Sequence, residues 1–173
     1  MTPQPAHPGH FPEILSLNAE SVRYLSPLDA MRLAALHAEA ARHVVVTADG
    51  GVLAFLLAFG PAARYDSPNF LWFRDRYADF LYVDRVVVAS RAQGTGLGRL
   101  LYDDLFAFAR RTGCARITCE VDSDPPNPAS EGFHRSYGFV EVGSQRLAER
   151  GKTVSMKAVE LDPGAGAWGG CAR

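Results

Sequence analysis

Within RAQGTGLGRLL, residues 91–101, the chain spends glycine at Gly94, Gly96 and Gly98 between an apolar run and a long amphipathic one. Glycine in such a turn lets the backbone come close to a ligand and aim its N–H groups at it. A strand that enters a helix through this turn builds an anion cradle. The unpaired N–H groups of the first helical turn converge there, and the positive end of the helix dipole adds to them. Two common phosphate loops do not fit. A P-loop ends on Gly-Lys-Ser or Gly-Lys-Thr, and Gly98-Arg99-Leu100 stands here instead. A dinucleotide fingerprint needs GxGxxG, whereas the spacing is Gly94-x-Gly96-x-Gly98, and Asp103, Asp104 and Glu120 are poorly placed for its ribose-binding acid. A tight turn without a ligand is the plain alternative.

The elements around the turn set what it can face. DFLYVDRVVVAS (79–90) reads as a strand buried on both faces. From Gly96 to about Arg111, Leu97, Leu101, Leu105 and Phe108 keep helical spacing, and Gly113 is a stop. ARITCEVD (115–122) reads as a strand, and NPASEGFHRSYG as a short helix with Asn127 as N-cap and Pro128 at its first position. FVEVGSQ and KTVSMKAVEL close as an antiparallel pair. Upstream, HVVVTADGGVLAFLLAF is a hairpin around DGG. SPLDAMRLAALHAEAARH is a helix capped by Ser26 with Pro27 next, and EILSLN (13–18) is a short strand. Residues 1–12, with four prolines, are expected to be a flexible arm, and 162–173, rich in Gly and Ala, a disordered tail. Between them, 13–161 reads as a single mixed α/β domain with no repeat. Residues 60–78 fit neither period and carry Tyr65, Phe70, Trp72, Phe73 and Tyr77, either a satellite core or a wall for an acceptor.

Composition narrows the class. The 173 residues are 47% hydrophobic and 21% charged, with net charge −1, so no basic surface argues for nucleic acid or an anionic membrane. Basic residues are local to the turn: Arg85, Arg91, Arg99, Arg110 and Arg111. Cys114, Cys119 and Cys171 are odd in number and lack CxxC spacing, so they read as small hydrophobes rather than a metal or disulfide set. No signal-peptide pattern and no membrane-length apolar run is visible, which points to the cytoplasm.

Gln93-Gly94-Thr95-Gly96-Leu97-Gly98 is Q/R-x-x-G-x-G/A, and it resembles the coenzyme A pyrophosphate loop of the GNAT superfamily of N-acetyltransferases. A second element of that family, N-x-x-A-x-x-[LF]-Y-x-x-x-G-F, is matched by Asn127, Ser130, Phe133, Gly138 and Phe139. The likeness covers about residues 13–161. It implies a mostly antiparallel six-to-seven-stranded sheet with helices on both faces, acetyl-CoA as donor, an amine acceptor and no metal. It also implies that the backbone of Val86, Val87 and Val88 pairs with pantetheine as a borrowed strand edge. N–H groups from Gln93 to Arg99 take the pyrophosphate, and Asn127 meets pantetheine or substrate.

The family's usual acid is a tyrosine seven residues after the Asn; here His134 fills that slot and Tyr137 follows. His134 shares a helical face with Asn127, while Tyr137 points ~60° away. Tyrosine, with pKa about 10, is always loaded, whereas histidine near 6.5 is only about a quarter protonated at pH 7. A packed core histidine is the plain alternative. The base is open between Asp84, placed by alternation on the face of Tyr82 and Val86, and Glu120; either could instead be a structural acid paired with Arg85 or Arg116. The resemblance implies direct transfer of acetyl to a primary amine of a small molecule, protein or peptide, and allows a homodimer. The alternative is a catalytically silent CoA-binding regulatory module, for which the missing tyrosine argues.

Overall fold

A computed structural model describes residues 1–21 and 25–161. The elements in chain order are β1 (Gln4–Pro5), α1 (Phe11–Glu20), α2 (Ala30–Glu39), β2 (Arg42–Ala48), β3 (Gly51–Phe59), α3 (Pro68–Arg74), β4 (Leu81–Val88), α4 (Leu97–Thr112), β5 (Arg116–Asp124), α5 (Pro128–Ser136), β6 (Val140–Leu147) and β7 (Lys152–Glu160). They form one seven-stranded sheet in the order β1-β2-β3-β4-β5-β7-β6. The mixed, mostly antiparallel architecture is the one expected.

The central contact is short. β4 and β5 are the parallel pair, joined by the α4 crossover, and they register only at Leu81↔Ile117 and Tyr82↔Thr118. Both strands then run on, to Val88 and Asp124, without pairing each other. The edge of β4 that faces β5 is therefore without a strand partner above Tyr82. Backbone N–H and C=O groups left so in a partly buried wedge call for a partner. On its other edge β4 pairs β3 with a bulge: Leu57 faces Arg85 and Ala58 faces Val83, so Asp84 is the extra residue. Strict alternation does not run through a bulge; Asp84 meets Tyr65, which shares an aromatic core with Tyr82.

The hairpin turns at Asp49 (φ 51) and Gly50 (φ 78), both left-handed, as a two-residue primed turn requires. Three upstream expectations need correction. Residues 13–18 are helix α1, not a strand, with Ile14, Leu17 and Asn18 buried at helical spacing. Six residues are too short a window to separate the two periods. The expected arm is paired: Gln4 and Pro5 register with Val45 and Val44, and Ala6 N–H donates to the His43 carbonyl at 2.9 Å. Proline is tolerated there because β1 is an edge strand. Helix α2 is capped by Asp29, which accepts from Arg32 N–H at 2.7 Å, not by Ser26. The Ser26 carbonyl is engaged elsewhere, by Asn18 and Arg85. The expected tail, 162–173, lies outside the described residues.

The aromatic segment 60–78 carries α3 and supplies Tyr65, Phe70 and Phe73 to a second core with Phe59, Phe80 and Tyr82. α3 docks on β6 where Trp72 crosses Gly143. A Cβ at Gly143 would sit 2.6 Å from the Trp72 ring, so only glycine admits this approach. Gly143→Ala is expected to displace Trp72 and cost about 1–3 kcal/mol, measured by denaturant unfolding with Trp fluorescence as the probe.

Candidate active site

The glycine turn leaves β4 and opens α4 as expected. Gly94 (φ 78) and Gly96 (φ 89) adopt left-handed backbone, and Gly96 is the N-cap without a side chain of its own. The first helical bond runs from Leu100 N–H to the Gly96 carbonyl, at 3.0 Å. The N–H groups of Gly96, Leu97, Gly98 and Arg99 thus have no partner within the helix. Thr95 fixes the turn by donating from its hydroxyl to the Ala92 carbonyl at 2.6 Å. A Cβ at Gly98 would lie 3.6 Å from Phe133, which seats α4 against α5.

Below the turn the wedge between β4 and β5 is a groove of about 690 Å³. Val86, Val87 and Val88 line one side, Cys119–Asp122 the other, and Gln93, Gly94, Gly96, Leu97, Gly98, Arg99 and Asn127 its upper end. Thr95, though in the loop, does not line it. Asn127 caps α5, its Oδ1 accepting from Ser130 N–H at 3.1 Å. Its side-chain oxygen is thereby committed to the helix, leaving the amide nitrogen for the groove.

The two acid candidates separate. Tyr137 lies outside the groove lining; its hydroxyl donates to Asp103 at 2.8 Å, and burial and that carboxylate push it up to about 12. His134 does line the groove, but it is buried and both ring nitrogens are engaged. Nδ1 lies 2.8 Å from the Ser130 carbonyl, which can only accept, so Nδ1 carries the proton. Nε2 of the neutral ring is then the acceptor, and Tyr102 donates to it across 2.7 Å. Burial lowers the His134 pKa, which keeps this neutral form in place. Tyr102, on α4, was not anticipated: next to Leu101 in a helical pattern it reads as core, and only the fold brings it to His134.

The two carboxylates separate as well. Asp84 is engaged on both oxygens: the Tyr65 hydroxyl donates to Oδ1 at 2.6 Å, and Arg85 Nε to Oδ2 at 2.9 Å. It is the ion-paired structural acid. Glu120 has no arginine partner, because Arg116 pairs with Glu160. The Tyr82 hydroxyl donates to Glu120 Oε2 at 2.8 Å. Burial, and then the charge of Asp84, push the Glu120 carboxyl up to about 7, against hydrogen bonds from Tyr82 and Asn69. A carboxylate half loaded at neutral pH suits a general base.

Both carboxylates and Leu25 also line a second cavity, of about 500 Å³, walled by the starts of α3 and β7's preceding turn. Groove and cavity meet at Glu120. Among the described residues no group of three or more His, Cys, Asp or Glu could hold a metal ion, and no helix is long and apolar enough to cross a membrane.

A family model described as Acetyltransferase (GNAT) family matches residues 11–139. Solved structures of the same fold include the ribosomal-protein-S18-alanine N-acetyltransferase of Escherichia coli, at 18% identity and TM-score 0.71, covering 96% of this chain and 99% of that one. Ard1 of Thermoplasma volcanium aligns at 18% identity and TM-score 0.73, covering 92% and 97%. A third, yncA of Salmonella typhimurium, was solved with its cofactor acetyl-CoA; it is 21% identical, with TM-score 0.71 and 99% of both chains covered. No curated protein sequence matches the chain.

Proposed function

The chain belongs to the GNAT acetyltransferase family, and from that premise we propose that it transfers acetyl from acetyl-CoA directly to a primary amine, with Glu120 as general base. The observation that carries this is one continuous path: glycine cradle at the N-terminus of α4, unpaired edge of β4, and Glu120 at the end of the wedge. The cradle takes the pyrophosphate, and the backbone of Val86–Val88 takes the pantetheine amides, as a strand would.

The acceptor ammonium gives a proton to Glu120, directly or through one water. Glu120 passes that proton to water; the free amine adds to the thioester carbonyl, its nitrogen, now cationic, gives a second proton to the restored carboxylate, and the C–S bond breaks. The thiolate leaves beside Tyr102 and His134. The Nδ1 proton of His134 is held by the Ser130 carbonyl, so His134 has no N–H to offer it, and the acid role expected of His134 is left to neither ring. Burial holds Tyr102 well above its ordinary value, whereas a thiol has pKa about 8.5. Proton transfer from Tyr102 to the thiolate would run uphill. The one hydroxyl proton of Tyr102 is already donated to His134, so the thiolate takes its proton from water on release. The reading also carries the proposals of a cytoplasmic location and of a homodimer, the latter open to light scattering.

The test is calorimetric titration of acetyl-CoA into wild type and Gly96→Trp, followed by thiol release with an amine library. Gly96 has φ 89, so the large side chain both strains the turn and fills the cradle. Affinity is expected to fall by about ten-fold or more with the circular dichroism spectrum unchanged. Unchanged binding would overturn the cradle. Binding without turnover on any amine would instead identify a regulatory module.

A further inference from the structure

The second cavity supports an inference that rests on the acetyl-transfer reading and extends it to the class of acceptor. We propose that the acceptor is a small amino acid, a primary amine carrying its own carboxylate, bound in the cavity of about 500 Å³ that opens beside Glu120.

The volume is in the range of small-ligand sites, about 300–1,000 Å³. The amine end is set by Glu120, where cavity and groove meet and where the proton must leave. The lining carries both signs, Arg85, Arg146 and Arg150 beside Asp84, Glu120 and Glu149. Arg85 and Arg150 both line the cavity and both reach Ser26: Arg85 Nη1 donates to its carbonyl at 2.8 Å, and Arg150 Nη1 to its hydroxyl at 3.2 Å. Arg85 is 4% exposed and its fork is held by Asp84 on Nε and Asn18 on Nη1, so its orientation is set before any ligand arrives. The rim adds Arg146 and Glu149, whose charges offset each other.

Asp84, Asn18 and Ser26 take Nε and Nη1 of Arg85, so the ligand carboxylate is set against Arg85 Nη2 and the Arg150 guanidinium by charge-assisted hydrogen bonds. Acidic and basic groups within one lining together fit a dipolar ligand. A polyamine or an extended lysine side chain would set a second cation or a bare methylene chain against the arginines, which disfavours both. Pro68 and Leu147 supply apolar surface, so a side chain without charge is favoured.

The experiment measures thiol release from acetyl-CoA with each common amino acid beside the amine that lacks only its carboxylate, and with spermidine. The best amino acid is expected to exceed its decarboxylated partner in kcat/KM by about ten-fold or more. Arg150→Gln should raise KM for the amino acid several-fold with kcat held, and leave the decarboxylated amine unaffected. Better turnover of the decarboxylated amine or of spermidine, or an equal effect of Arg150→Gln on both, overturns the proposal while acetyl transfer stands. If no amine is turned over, the acetyl-transfer reading fails, and calorimetry of amino acids into the CoA complex decides the cavity alone. Binding by wild type that is lost in Arg150→Gln sustains it, and no binding overturns it.

Discussion

Glu120→Gln is expected to slow acetyl transfer by about 10²–10⁴-fold while the affinity for acetyl-CoA stays unchanged. The amide keeps the size of the side chain and an oxygen for the Tyr82 hydroxyl, but it cannot take a proton. The pH profile makes the test specific. With the Glu120 carboxyl at about 7, the wild-type rate should rise through neutral pH as the base ionises, and the variant should lose that limb. Asp84→Asn, which removes the charge next to Glu120, should move the limb to lower pH rather than abolish it. A Glu120→Gln variant with wild-type turnover would remove Glu120 from the mechanism.

The same substitution should stabilise the protein. The folded-state pKa of Glu120 is raised from 4.5 to about 7, so between those values the native state holds more protons than the unfolded one. Stability contributed by the neutral carboxyl is complete below 4.5 and is lost as pH rises through 7. At 1.36 kcal/mol per pH unit, the ionised group costs about 3 kcal/mol above neutrality. Glu120→Gln removes that cost, an instance of activity maintained against stability.

His43→Leu is expected to remove the part of the stability that His43 takes away on mild acidification. His43 is 8% exposed, and its Nδ1 lies 2.9 Å from Nδ1 of His37, so the two nitrogens share one proton. Its Nε2 is buried without a partner among the described residues. Burial, with the neighbouring His37 and His10, lowers its pKa from 6.5 to about 4. Here the unfolded state binds more protons between those values, so the stability is present above 6.5 and is lost as pH falls toward 4. The magnitude is again about 3 kcal/mol. Leucine has no proton to bind and leaves no orphaned buried nitrogen.

These two windows overlap with opposite sign. Wild type should therefore show a muted dependence of Tm on pH between about 4.5 and 6.5, and each variant should unmask the other group. Glu120→Gln should gain stability steadily as pH rises across that range; His43→Leu should lose it. Parallel curves for wild type and both variants would refute the two assignments together.

Much of this was readable from residues alone. The DGG hairpin, the strand–glycine–helix unit around Gly96, the Asn127-Pro128 start of α5 and the antiparallel closing pair are each set by local chemistry. A left-handed turn position, a capping oxygen and a missing N–H act over three or four residues, and such signals survive whatever the rest of the chain does. The glycine turn belongs to this class, since what it presents is backbone N–H groups that side chains elsewhere cannot alter.

The catalytic assignments do not belong to it. Asp84 and Glu120 were equivalent as sequence, and only packing gave Asp84 an arginine and a tyrosine while burying Glu120 beside that charge. His134 stood in the right slot, but its proton inventory depends on Tyr102, 32 residues away. Ser26 lost its expected role as a cap to Asp29, and its carbonyl is held by Asn18 and Arg85 from other elements. The physical reason is common to all three. A side chain's charge state and hydrogen-bond partners follow from desolvation and from neighbours brought in across the sheet, and those are properties of the folded surroundings rather than of the residue or its spacing.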